Sequence, residues 1–214
     1  MLQYRTIYPT TLELLRTLML SEELQDFFLV GGTALALLLG HRISVDIDMF
    51  TLNDFNSDEL ISKLSKHISI SSISKSKNSL SLEVLDTSEN DKVVKIDLIK
   101  YSYPLINTVV EIDSIRLLSI EDIIAMKLSA VTGRGAKKDF YDIFFLLKNY
   151  NLQVMIKYFK FKFPNTNVFQ VLKSLTYFDD ADLEPDPITI ENIEWDTVKK
   201  TIQEHTALYI SSFR

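Results

Sequence analysis

Three aspartates stand where a strand should be apolar. Asp46 and Asp48 are two residues apart in SVDIDMFT (44–51), and Asp97 is alone among apolar neighbours in VVKIDLI (93–99). Residues two apart in a strand share a face, about 7 Å from each other. Asp46 and Asp48 are therefore expected to project together, with Val45, Ile47 and Met49 toward the core. Two neighbouring anions repel and are costly to bury. A divalent cation removes that cost, and Mg²⁺ favours a few carboxylates together with phosphate oxygens. If the strand carrying Asp97 lies beside 44–51, three carboxylates converge. Such a set can hold two Mg²⁺ ions, which clamp the attacking and leaving oxygens of a phosphoryl displacement.

A phosphate cradle is legible just upstream. In VGGTA (30–34), Gly31 and Gly32 allow a ligand to approach the backbone. Thr33 and the free amides of a helix N-terminus can hold phosphate oxygens. Taken singly, each signal has an ordinary explanation. Gly-Gly before a helix can be only a turn. Asp-x-Asp also occurs in glycosyltransferases, in aspartate-nucleophile phosphatases and in exposed strands. Asp97 could be a strand residue with a backbone partner. The order and spacing of all three are the specific feature.

The elements that must position these residues follow from periodicity. Residues 10–20 read as a helix capped by Thr10 or Thr11, 27–30 as a short buried strand, and GGTALALLLGH as a turn into an apolar helix. The aspartate strand 44–51 follows, then an amphipathic helix over 56–67 with Ser57 as cap. Residues 68–86 alternate and read as a hairpin turning near KSKN, with one wet face. TSEN (87–90) is the next turn, and 91–101 is a strand. A short strand pair at 109–118 leads to helices over 119–131, where Ser119 and Asp122 form an acidic capping box, and over 136–150, with GRG as the break. Two or three further helices are expected after 151, with FDDADLEPDPITI as an acidic loop between them. This is an α+β pattern: a small mixed β-sheet flanked by helices, with a helical C-terminal half. We place the core at 1–118 and the helical region, packed on that core, at 119–214.

The composition sets outer bounds. A chain of 214 residues with 46 % hydrophobic residues can build a core. A net charge of −6 disfavours a general nucleic-acid binder, although GRGAKK (Arg134, Lys137, Lys138) is a local basic stretch that is either solvated or set against RNA. The absence of cysteine removes disulfides, thiolate metal sites and a Cys nucleophile. No signal peptide and no apolar run near the roughly 20 residues of a membrane span are read, so a cytoplasmic protein with no membrane partner is expected.

LVGGTALALLLGHRISVDIDMF resembles the first motif of the nucleotidyltransferase AbiEii/AbiGii toxin family, within the DNA polymerase β-like nucleotidyltransferase superfamily. VVKIDLI resembles its second motif, and AMKLSAVTGRGAKKDFYDIFFLL its later ones. The likeness covers roughly residues 25 to 150 and implies a minimal nucleotidyltransferase fold. It implies that Gly31, Gly32, Thr33 and Lys127 bind the nucleotide phosphates, and that Asp46, Asp48 and Asp97 bind metal, Asp97 also activating the acceptor hydroxyl. It makes Asp139 a catalytic or orienting carboxylate with Lys138, often Arg in the family, as its basic neighbour. On the residues alone, Lys127 could be a solvated lysine and Asp139 a carboxylate favouring the helix dipole. Asp139 and Asp142 share a helix face. Arg42 could pair with Asp46 or Asp48 or with a substrate phosphate. His41 is given no role.

The expected function is a Mg²⁺-dependent nucleotidyltransferase that moves a nucleoside monophosphate from an NTP to an acceptor hydroxyl. The resemblance implies the toxin of a toxin–antitoxin or phage-defence pair, with a tRNA 3′ end or a protein as acceptor and a cognate antitoxin as partner. Two alternatives stay open: a small-molecule, aminoglycoside-type nucleotidyltransferase, for which the acidic loop could attract a polycation, and a nucleotide- or partner-binding module without chemistry. An aspartate-nucleophile phosphatase ranks below these, because there the aspartate strand opens the fold.

Overall fold

A seven-stranded mixed sheet organises the first part of the chain. The computed structural model describes residues 1–86 and 92–213; the TSEN turn lies outside them. The strands are β1 (Phe28–Leu29), β2 (Ile47–Thr51), β3 (Ile70–Ser76), β4 (Ser79–Asp86), β5 (Lys92–Lys100), β6 (Val110–Ile112) and β7 (Ile115–Leu117). Their order is β3-β4-β5-β2-β1-β7-β6. The pairs β2·β5 and β1·β7 are parallel and the rest antiparallel.

The alternation in β5 and β4 does what a half-buried strand requires. Leu80, Leu82, Ile96 and Leu98 are fully buried, each worth about 1.5–3 kcal/mol of apolar transfer. The intervening Ser81, Asp97 and Lys95 lie on the other face. The expected hairpin over 68–86 forms, turning at Lys77 and Asn78, but β3 is an edge strand exposed nearly throughout, Ile73 included. Lysine and serine on such an edge oppose further strand pairing.

Three helices accompany the sheet: α1 (Pro9–Leu20), α2 (Gly31–Leu39) and α3 (Ser57–Leu64). Two sequence-based caps are corrected. Pro9 takes the first position of α1, so the cap is Tyr8, not Thr10 or Thr11. Asn56, not Ser57, caps α3, its Oδ1 accepting from the amides of Asp58 (3.0 Å) and Glu59 (3.3 Å). α2 ends at Gly40, whose left-handed φ of 74° closes the helix.

The chain divides into two compact units, Met1–Ser102 with Val109–Leu118, and Tyr103–Thr108 with Ser119–Arg214. The second unit holds α4 (Ile120–Gly133), α5 (Lys137–Leu147), α6 (Leu152–Lys162), α7 (Val168–Ser174), α8 (Asp179–Asp182) and α9 (Trp195–Ser211). After residue 151 there are thus more helices than the periodicity predicts, because α8 is one turn cut from the acidic stretch. Ser119 caps α4, its Oγ accepting from the Asp122 amide at 3.2 Å. Asp122 does more than cap. Both it and Lys162 are fully buried and paired at 2.5 Å. Asp122 also accepts from the amides of Ile106 and Asn107, and Lys162 donates to the Pro104 carbonyl at 2.9 Å. The pair satisfies the 103–108 segment and needs no functional explanation. The architecture is α+β, and no helix among the described residues is long and apolar enough to cross a membrane.

Candidate active site

Strand pairing brings Asp48 and Asp97 side by side. β2 and β5 run parallel with Asp48 opposite Asp97, between the buried pairs Ile47↔Ile96 and Met49↔Leu98. Asp46 is not part of the strand, which begins at Ile47. The reason is local. Ser44 bridges to Ile7, and the Thr33 hydroxyl donates to the Asp46 carbonyl, so the backbone at 44–46 is held away from the sheet ladder. Val45 is accordingly 45 % exposed, against the expectation that it faces the core, whereas Ile47 and Met49 are fully buried.

The two glycines are required by contact. Gly31 has φ of 69°, and a Cβ there would lie 2.5 Å from Asp48 Oδ2. A Cβ on Gly32 would lie 2.5 Å from Arg42 Nη2. The turn into α2 thus packs directly against one site carboxylate and against the buried Arg42 guanidinium. His41 beside it is buried too. Thr33, 1 % exposed, stands 2.9 Å from the Ser44 hydroxyl in addition to its bond to Asp46. Its hydroxyl therefore fixes the loop carrying Asp46, whereas the sequence reading gives it to a phosphate. The first amides of α2 have no partner within the helix and suit an anion.

Asp97 has two side-chain partners. Ser81, opposite it on β4, donates to Oδ1, and Lys95 Nζ lies 2.7 Å from Oδ2. The hydrogen bond with Asp97 raises the Lys95 pKa above its ordinary value; desolvation opposes the rise, and the charges of Asp97, Asp48 and Asp46 add to it. All three aspartates therefore act on one ammonium. Among the described residues no group of three or more His, Asp or Glu side chains is already gathered as a metal cluster. The donor chemistry nevertheless fits a hard divalent cation: the set is all carboxylate, and the Lys95 ammonium takes a cation's part within it.

The later candidates form a second, separate cluster in the helical unit. Lys127 on α4 pairs with Asp139 at 3.2 Å and Asp142 at 2.5 Å, both on α5. Arg134, which caps α4, grips Asp139 through Nε (2.7 Å) and Nη2 (3.0 Å). Both carboxylates are fully buried and the Lys127 side chain is 6 % exposed. Burial would raise the Asp139 pKa, but the Arg134 hydrogen bond and the Lys127 charge outweigh it and hold it below the ordinary range. Lys127 thus sits on carboxylates, not on an open surface.

The basic stretch is largely committed. Arg134 is in that cluster, and Lys137 is buried, paired with Asp186 at 3.0 Å and 5.3 Å from the Trp195 ring centroid. Lys138 is exposed. The acidic loop is its counterpart: Glu184 accepts the Lys137 amide (2.8 Å), and Asp182 accepts from Trp195 Nε1 (2.6 Å) and Lys199 (3.1 Å). These carboxylates have internal duties, which weakens their expected use as a trap for a polycation.

Sequence reasoning missed Lys95, Ser81 and Ser44 as site neighbours. Lys95 was readable, being two residues before Asp97 on one strand face. Ser81 and Ser44 needed the register.

Known proteins resemble this chain in sequence and in fold. An uncharacterized protein of Aquifex aeolicus (strain VF5) is 32 % identical over 195 residues, 87 % of this chain and 89 % of that one. Two solved structures share the fold. JHP933 from Helicobacter pylori has a TM-score of 0.62 at 19 % identity, covering 94 % of this chain and 92 % of its own. MenT4, a nucleotidyltransferase toxin from Mycobacterium tuberculosis H37Rv, has a TM-score of 0.63 at 13 % identity, covering 92 % of this chain and 82 % of its own. The family described as "Nucleotidyl transferase AbiEii toxin, Type IV TA system" matches residues 13–213. With nearly its whole length so matched, this chain belongs to the AbiEii nucleotidyltransferase toxin family and is a nucleotidyltransferase.

Proposed function

We propose that the protein transfers a nucleoside monophosphate from an NTP to an acceptor hydroxyl, on an RNA 3′ end such as that of tRNA or on a protein side chain, with Mg²⁺ and release of pyrophosphate. The observation that carries this reading is the register of Asp48 with Asp97 on neighbouring parallel strands, with Gly31 packed against Asp48. Asp46, Asp48 and Asp97 would hold the metal, whose chemistry when bound is neutralisation of the triphosphate and acidification of the acceptor hydroxyl. Asp97 accepts the acceptor's proton. The amides of Gly31 and Gly32 bind phosphate oxygens, and Thr33 keeps Asp46 in place through its carbonyl. Lys127, which the family resemblance gives to the nucleotide phosphates, is held by Asp139 and Asp142, and Asp139 orients it. A toxin of this kind, acting in the cytoplasm and in phage defence, would be restrained by a cognate antitoxin.

The test is incubation of the purified protein with each labelled NTP, Mg²⁺ and either total tRNA or lysate protein. Label on one acceptor class, lost with EDTA and in a folded Asp46→Ala protein, is expected. Equal labelling by Asp46→Ala would overturn the assignment. Label on neither, with protection of cells against an aminoglycoside, would replace it with a small-molecule acceptor.

A further inference from the structure

Lys95 has no part in the mechanism above, yet it is paired with one of its carboxylates. It is two residues from Asp97 on the same face of β5, and its ammonium is 2.7 Å from Asp97 Oδ2. Ser81 holds the other oxygen. Asp97 is thus engaged on both oxygens, while Asp48 lies beside it in register. The Lys95 side chain is about half exposed, so its long stem can swing its head into solvent without leaving a buried charge behind. A lysine is suited to such exchange because its ammonium is a mobile point charge, unlike the fixed fork of an arginine.

We propose that Lys95 is the resident counter-cation of the carboxylate site: it holds Asp97 in the metal-free protein, must yield that oxygen when a divalent cation enters, and so sets how much cation the site requires. This rests on the reading of Asp46, Asp48 and Asp97 as the metal site. The exchange balances: an ammonium leaves a carboxylate oxygen and a dication takes it, with no bond broken in either group. In the metal-free protein, removal of the lysine takes from Asp97 Oδ2 the ammonium that lies 2.7 Å from it. With metal present, the same removal takes away a competitor. One substitution therefore has opposite effects in the two states, which a purely structural salt bridge would not produce.

The test is Mn²⁺ binding to the full-length protein without nucleotide, followed by electron paramagnetic resonance and by thermal melting with and without EDTA. Lys95→Met is expected to bind Mn²⁺ about tenfold more tightly than wild type, a difference of about 1.4 kcal/mol. It should melt lower than wild type in EDTA and recover at saturating Mn²⁺. Lys95→Gln, which stays polar but loses the charge, should behave like Lys95→Met, and Lys95→Arg, which keeps the charge, should bind Mn²⁺ no more tightly than wild type. Asp48→Asn should lose the Mn²⁺ signal. If wild type binds Mn²⁺ and Asp48→Asn does not, but Lys95→Met and Lys95→Gln bind no more tightly than wild type, Lys95 is only a structural partner and the proposal fails alone. If Asp48→Asn binds as wild type does, or wild type binds nothing, the metal reading fails and takes the proposal with it.

Discussion

Gly31→Ala separates the stability of this fold from its chemistry. The substitution acts twice. A φ of 69° is left-handed, which a residue with a Cβ adopts at about 1–2 kcal/mol. For a chain of this size that lowers Tm by roughly 2–8 °C. The new Cβ would also stand 2.5 Å from Asp48 Oδ2, where ordinary contact begins at 3.4 Å. Either the turn or the Asp48 carboxylate must give by about 0.9 Å, the difference of those two distances. A displacement near 1 Å at reacting groups reduces rate by about 100-fold. Gly31→Ala should therefore remain folded at 25 °C, lose a few degrees of Tm and lose about two orders of magnitude in kcat/KM for NMP transfer. Gly133→Ala is the control. Gly133 ends α4 with nothing within 4 Å of an added Cβ, so Tm should hold or rise slightly and transfer should be unchanged. Circular-dichroism melts beside a labelled-NTP assay read both quantities. If Gly31→Ala transfers within twofold of wild type, the packing of Gly31 on Asp48 has no part in the reaction and the reasoning is wrong.

The helical-unit cluster makes two further predictions. Lys127→Met takes away the ammonium that the buried Asp139 and Asp142 share and should destabilise by about 3–5 kcal/mol, on the order of 10 °C in Tm; a melt within 2 °C of wild type would contradict the pairing. Asp139, whose folded pKa is depressed, contributes stability that is present above its unfolded value, about 3.9, and is lost as pH falls through the lower folded value. Arg134→Gln removes the chief lowering influence, so the folded value rises toward the unfolded one and the stability lost on acidification below about pH 4 should be smaller than in wild type. Urea midpoints between pH 6 and pH 2.5 measure this, and superimposable acid limbs would refute the Arg134 contribution.

What sequence could reveal depended on whether a residue's role is local or set by register. The Asp48–Asp97 pairing was legible, because each aspartate interrupts an apolar strand and two such strands have good reason to be neighbours in a small sheet. The position of Asp46 was not. Strict alternation extends the strand back to Ser44, whereas Thr33, on another element, pulls the Asp46 carbonyl out of the ladder. Thr33 itself was misdirected for the same reason: Gly-Gly-Thr ahead of a helix looks like a ligand loop, and nothing in it announces that the hydroxyl turns inward to Ser44. Lys127 was picked out by the family resemblance, but its partners Asp139 and Asp142 come from the next helix, and burial of all three follows only from how α4 meets α5. The acidic stretch 179–186 read as a loop open to a polycation because its partners, Lys137, Trp195 and Lys199, are far from it in sequence or hidden by helical periodicity.

The most direct measurement follows which phosphate moves. The purified protein is given an NTP labelled at either the α or the γ phosphate, with Mg²⁺ and the acceptor, beside a folded Asp48→Asn protein. The account predicts that the α label joins the acceptor, the γ label leaves as pyrophosphate, and Asp48→Asn does neither at an unchanged Tm. Transfer of the γ label, or wild-type transfer by Asp48→Asn, would contradict it.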